Sequence, residues 1–269
     1  MIPGVAIGLS VAWYLLKGGA RWWGWAARLV VRLSPWTRAV YAWALSAPAT
    51  FTYVVVFTAS TIIQQSAPPH LIDLLTTLQS TNLARLRFKP LSGLIDSGLW
   101  VADRGNGLSV YIAVFVTVVA WAERRYGPPR MIIIGTAAHV LGSLLTAAVE
   151  THAITTGRAP ASLAYSTDVG VSYVMVGGVA AAVLLMRGRF RALAAVAFTL
   201  LLLAPLLINR TVWDLGHLLA ALCGLAAAWI ALRTGPPRRP ARVSPAAPPP
   251  DDDRRDGDGR RGPADQDPA

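Results

Sequence analysis

The sequence predicts an all-α membrane protein: six transmembrane helices, cytoplasmic N- and C-termini, and a polar tail. Three observations carry this. Of the 269 residues, 54% are hydrophobic and only 14% charged, whereas soluble domains carry about 25% charged residues. The apolar residues cluster in runs of roughly 17–20, the length a helix needs to cross a bilayer. The basic residues alternate between the connecting segments as the positive-inside rule requires.

The first element, Ile2–Leu16, is apolar but marginal for a span at 15 residues. It reads as an extra helix, as an interfacial anchor with Trp22, Trp23 and Trp25, or as the product of an upstream start codon. A cleavable signal peptide is disfavoured, because the charge follows the apolar stretch instead of preceding it. Residues 1–36 therefore stand apart as an N-terminal apolar and basic segment. The membrane domain covers 37–235, with spans expected at Thr37–Ile63, Leu108–Ala122, Met131–Val149, Gly170–Met186, Ala192–Ile208 and Trp213–Leu232. The second run covers about 22 Å at 1.5 Å per residue, so it is expected to extend into Arg104–Gly107, or the bilayer to thin around it. Gln64–Gly107 is long for a connection and carries Pro68, Pro69, Pro90 and several leucines; it is expected to fold back on the membrane surface. Residues 236–269 are rich in Pro, Arg and Asp and predict a disordered cytoplasmic tail.

Orientation follows from charge. Fifteen basic residues flank the ends assigned to the cytoplasm, among them Arg28, Arg124, Arg187 and Arg233, against six on the opposite side. The net charge of +11 does not indicate nucleic-acid binding, because it brackets apolar spans instead of lining one soluble face. The 23 arginines against two lysines suit a GC-rich bacterial source, and the bacterial cytoplasmic membrane is the expected location. Cys223 is alone, which excludes an intramolecular disulfide and a cysteine metal site; it is expected to pack as a small core residue.

Polar residues inside spans are costly and call for a reason. Ser172 opens the fourth run, in Gly170-Val-Ser-Tyr-Val-Met-Val-Gly-Gly178, and His217 opens the sixth, after Trp213-Asp-Leu-Gly216. Both fall within about a turn of the outer boundary, and matched depth is a precondition for a serine nucleophile and its base. Ser172 also lies in the first turn of its helix, where unpaired N–H groups suit an oxyanion. Gly170, Gly177 and Gly178 facing Gly216 and Gly224 would allow close approach of the two helices. Taken singly, a serine in a membrane helix packs or bonds to its own backbone, and a histidine there is a satisfied polar contact. The pairing at equal depth is what points to chemistry. Asp214, three residues before His217, either orients the imidazole or sits at the interface; Asp168 is placed to cap the fourth span. His139 reads as a buried hydrogen-bonded residue, and His70 and His152 as solvated. No metal-ligand spacing is present.

These features resemble the rhomboid family of intramembrane serine proteases. Gly170-Val-Ser172 is similar to the family's Gly-x-Ser-Gly, with Gly177 as a later glycine. Gly216-His217 with Gly224 resembles the sixth-span pattern, Ala221 replacing one glycine, and Glu123-Arg-Arg-Tyr-Gly127 resembles the Glu-x-x-x-Gly closing the second span. The resemblance covers about residues 37–232. It implies a six-helix core and peptide-bond hydrolysis by Ser172 with His217 as base. It further implies no cofactor, and transmembrane proteins as substrates or client helices within the bilayer. Two departures stand out: Tyr173 replaces the glycine after the nucleophile and is expected to crowd it, and Gly107 and Tyr111 occupy the places of the family's His-x-x-x-Asn pair. A rhomboid-like protein that binds membrane helices without cutting them is the first rival. A transporter ranks lower, since no chain of midplane charges or broken helices is evident.

Overall fold

The computed structural model describes residues 2–101, 105 and 107–238. The tail from residue 239 and Arg104 lie outside the described residues. Among those described, the chain is all helix, with no strand. It opens with α1, Ile2–Gly19, and α2, Gly24–Leu45. The expected first span, Thr37–Ile63, is not one helix: α2 ends at Ser46, and α3, Pro48–Ser66, leaves it at 93°. Pro48 is the cause, since it has no N–H to continue the ladder and disfavours helical backbone at Ala47. The free start of α3 is capped from elsewhere in the chain. The fully buried Glu123 accepts from Ala49 N at 2.9 Å and from Thr50 N at 2.6 Å, an anion on the positive end of a helix.

Three short helices follow: α4, Pro69–Leu78; α5, Leu83–Phe88; and α6, Pro90–Ser97. Arg85 joins α5 to Asp96 of α6 at 2.9 Å, and Trp100 Nε1 donates to Thr76 at 3.0 Å. These contacts tie the loop's helices to one another. The loop reaches into the bundle, because α6 docks on His139.

The second apolar run is one helix with a wide turn: α7, Leu108–Val114, a π-helical turn over Phe115–Val119, and α8, Ala120–Tyr126. It lengthens forward to Tyr126, and Gly107 takes the N-cap position at its start. Trp43 Nε1 donates to Val116 O at 2.7 Å, within the wide turn. Gly127, at φ +86°, stops α8 in a backbone region glycine favours, and Pro128 starts α9, Pro128–Thr155. That is the structural content of the Glu-x-x-x-Gly: one residue caps α3 and the other turns the chain.

The last helices are α10, Val171–Leu185; α11, Gly188–Ile208; and α12, Val212–Arg233. Three helices, α9, α11 and α12, are long and apolar enough to cross a membrane, and the bent pair α2–α3 makes a fourth if taken as one span. The 15-residue α10 is apolar but shorter.

The core is built where α9, α10 and α12 meet, and small residues make it. Ala138, Ala180, Ala181, Ala182, Ala220 and Ala228 are buried there. A Cβ on Gly224 would strike the backbone of Gly177, and one on Gly177 would strike the Ala138 side chain. With no hydrophobic force between helices in lipid, such close backbone packing is what holds a bundle. The expected glycine faces are corrected here. Only Gly177 and Gly224 meet; Gly178 faces Val119 and Met131, Gly170 faces His139, and Gly216 faces Tyr173. A second cluster, Tyr53, Phe57 and Phe115, packs α3 on the π-helical turn, with ring centroids 5.3–5.4 Å apart.

Candidate functional site

Ser172 is the second residue of α10 and is half-buried. The first backbone bond of that helix runs from Val174 N to Gly170 O, so the amides of residues 171–173 lie ahead of the ladder. Gly170 is held from outside the helix: its N–H donates to Ser97 O at 2.8 Å, and the His139 ring fills the space a Cβ would need. His217 is half-buried on α12. From the Gly177–Gly224 crossing, Ser172 is five residues and His217 seven residues back toward the helix starts. At 1.5 Å per residue these are about 7.5 and 10.5 Å, a depth mismatch of about 3 Å.

No hydrogen bond joins Ser172 to His217. The group standing against the imidazole is Tyr173, ring centroids 5.4 Å apart at 79°. The expectation that Tyr173 crowds the serine is corrected. Successive helical residues point about 100° apart, and the tyrosine side chain is buried between α9 and α12 with its hydroxyl at Gly216 and Thr146. Gly216 is required there, because any side chain would collide with the Tyr173 hydroxyl.

Of the two acidic residues, Asp214 sits at the start of its helix, one of its two expected places, and Asp168 does not cap its helix. Asp214 completes a capping box at the start of α12: its carboxylate accepts from Thr211 N at 3.3 Å, Thr211 Oγ1 accepts from Asp214 N at 3.2 Å, and the Thr211 hydroxyl also donates to the carboxylate at 2.5 Å. A carboxylate so engaged serves the helix end. Asp168 does not cap α10, whose N-cap is Gly170 without a side-chain bond. It ties the segment before α10 to the long loop instead: Thr81 N donates to Asp168 O at 2.9 Å and the Thr81 hydroxyl to Oδ2 at 3.0 Å. Burial pushes the Asp168 carboxyl up to about 6, against the lowering pull of the Thr81 hydroxyl. Trp213 Nε1 adds a bond to Thr167 O at 2.7 Å. The start of α10 is therefore fixed at Thr167, Asp168 and Gly170.

His139 is buried and hydrogen-bonded as read, with Nε2 2.7 Å from Leu94 O. That contact requires the Nε2–H tautomer, and Ser97 Oγ lies 3.3 Å from the same nitrogen. His70 and His152 are exposed, and Cys223 is only half-buried, not fully in the core. Sequence reasoning missed the line His139, Ser143, Thr146 and Glu150 on α9, all at most 7% exposed. Its signal was available: polar residues at i, i+4, i+7 and i+11 of an apolar helix share one face. Among the described residues no cluster suited to a metal is present.

No curated protein and no solved structure matches the chain. The family described as "Rhomboid-like protein" matches residues 42–236, from the end of α2 to just beyond α12. That range holds the bent entry to α3, the Glu123 cap, the α9–α10–α12 core, Ser172 and His217. The chain belongs to the rhomboid-like proteins.

Proposed function

We propose that the chain is a rhomboid-type intramembrane serine protease that cuts peptide bonds in or beside the membrane helices of other proteins. The observation that carries the reading is the near-equal depth of Ser172 and His217 on two helices whose backbones touch at Gly177 and Gly224. Ser172 Oγ attacks the scissile carbonyl while His217 takes its proton. The proton passes to the leaving amine, the acyl group stays on Oγ, and water, deprotonated by His217, releases it. The amides opening α10 face the developing oxyanion, a role that preorganised donors fill without reorganisation. The contact between Ser172 and His217 closes when substrate enters, as catalytic hydrogen bonds commonly do. The reaction uses no cofactor. The accompanying topology is six spans in the bacterial cytoplasmic membrane, N- and C-termini inside, with Ser172 and His217 toward the outer surface.

A second reading is favoured by one observation. His217 meets Tyr173 and not Ser172, the arrangement expected of a rhomboid-like protein that holds client helices without cutting them. Labelling in membranes with a serine-reactive phosphonate separates the two. Labelling of wild type that vanishes in Ser172→Ala supports the protease; its absence from both, with folded protein, supports the helix-binding reading.

A further inference from the structure

We infer that α2 is a surface-lying helix that docks on anionic phospholipid headgroups through Arg28, Arg32 and Arg38. The sequence supplies an unbalanced charge: no Asp or Glu occurs before Asp73, while Lys17, Arg21, Arg28, Arg32 and Arg38 do. Helical geometry sorts it. At 100° per residue Arg38, Arg28 and Arg32 fall within an arc of about 120°. The opposite face carries Leu29, Val30, Leu33 and Val40. Trp25, Trp36 and Trp43 fall between the two, the position tryptophan takes at a membrane–water boundary.

The fold then orients the helix. α2 meets α3 at 93°, so the two cannot both stand along the bilayer normal, and the helix that carries the arginines is the one that lies in the surface plane. Among the described residues, most of its length between Ala27 and Ala42 is left open. Ala26 is its one buried residue, Trp25 is 58% and Trp36 74% exposed, and all three arginines are exposed. The Arg85–Asp96 salt bridge lies elsewhere in the chain. Arg124 stacks over Trp43 at 4.6 Å and Arg125 over Trp121 at 5.0 Å, so the α2–α3 corner carries positive charge from α8 as well. A basic arc, an apolar arc and modest overall hydrophobicity are the marks of an interfacial helix, whose binding depends on anionic lipid. A span would bury its arginines or lack them. The inference does not depend on catalysis.

The test uses the purified full chain in neutral detergent, titrated with phosphatidylglycerol or phosphatidylcholine, and counts bound lipids by native mass spectrometry. Wild type should prefer phosphatidylglycerol, and added salt should erode the preference. R28Q/R32Q/R38Q should weaken phosphatidylglycerol binding by about fivefold per arginine removed. R187Q/R189Q/R191Q, which removes the same charge at the start of α11, should stay within about twofold of wild type. All substituted side chains are exposed, and thermal unfolding without added lipid checks that both variants fold. No phosphatidylglycerol preference in wild type, or equal losses in the two triple variants, overturns the inference.

Discussion

The ring of Tyr173 stands edge-on to the imidazole of His217, centroids 5.4 Å apart and planes at 79°. The residue that separates this chain from the family's serine motif is therefore a support for the histidine. Its hydroxyl is buried beside Gly216 and Thr146. Tyr173→Phe should keep fold and phosphonate labelling within the cost of a single hydrogen bond, about 1 kcal/mol, because it keeps the ring that meets His217. Tyr173→Gly should cost about 3–5 kcal/mol and lower labelling, the reverse of what opening space beside Ser172 would give. Thermal unfolding in detergent with labelling rates checks both.

Ser172→Ala and His217→Ala should each abolish cleavage of a membrane-helix substrate, and the double variant should be no worse, because nucleophile and base act as one unit. Additive losses would show the two residues acting separately.

Glu123→Gln should destabilise the membrane domain by about 2 kcal/mol, the order expected for hydrogen bonds to a charged group. It weakens the cap that holds Ala49 N and Thr50 N. An unchanged unfolding midpoint would remove Glu123 as the anchor of α3.

Gly224→Ala should be among the most damaging single-methyl changes, because the added carbon meets the backbone of Gly177, which has no rotamer to change. Gly18→Ala in α1 meets nothing within 4 Å and should be neutral or slightly stabilising. Equal effects at both sites would contradict the helix crossing.

Stability should fall as pH rises from about 4 to 6 through Asp168. Burial holds its carboxyl up to about 6 from the ordinary 3.8. In that window the folded chain keeps a proton the unfolded chain has lost, so this contribution is full below about 4 and gone above 6. Asp168→Asn should flatten that part of the pH–midpoint curve; an unaltered slope would assign it to another group.

The sequence by itself determined the all-helical membrane class and the apolar segments. Hydropathy, helical period and charge are local properties, written residue by residue from Leu108 to Arg233. His139 was legible as a buried contact, and Ser172 and His217 as residues about 3 Å apart in depth, for the same reason: depth follows from counting along a helix. Tertiary structure decided what rotation about the helix axes and long-range partners control. The break at Ser46 and Ala47 turned one expected span into two helices, although Pro48 was in plain sight, because apolar composition does not encode a bend. Asp168 found Thr81, 87 residues away, and Glu123 found the start of α3, 73 and 74 residues away. Tyr173 turned to His217 while Ser172, its neighbour in sequence, did not, since a 100° step on α10 places adjacent side chains against different helices.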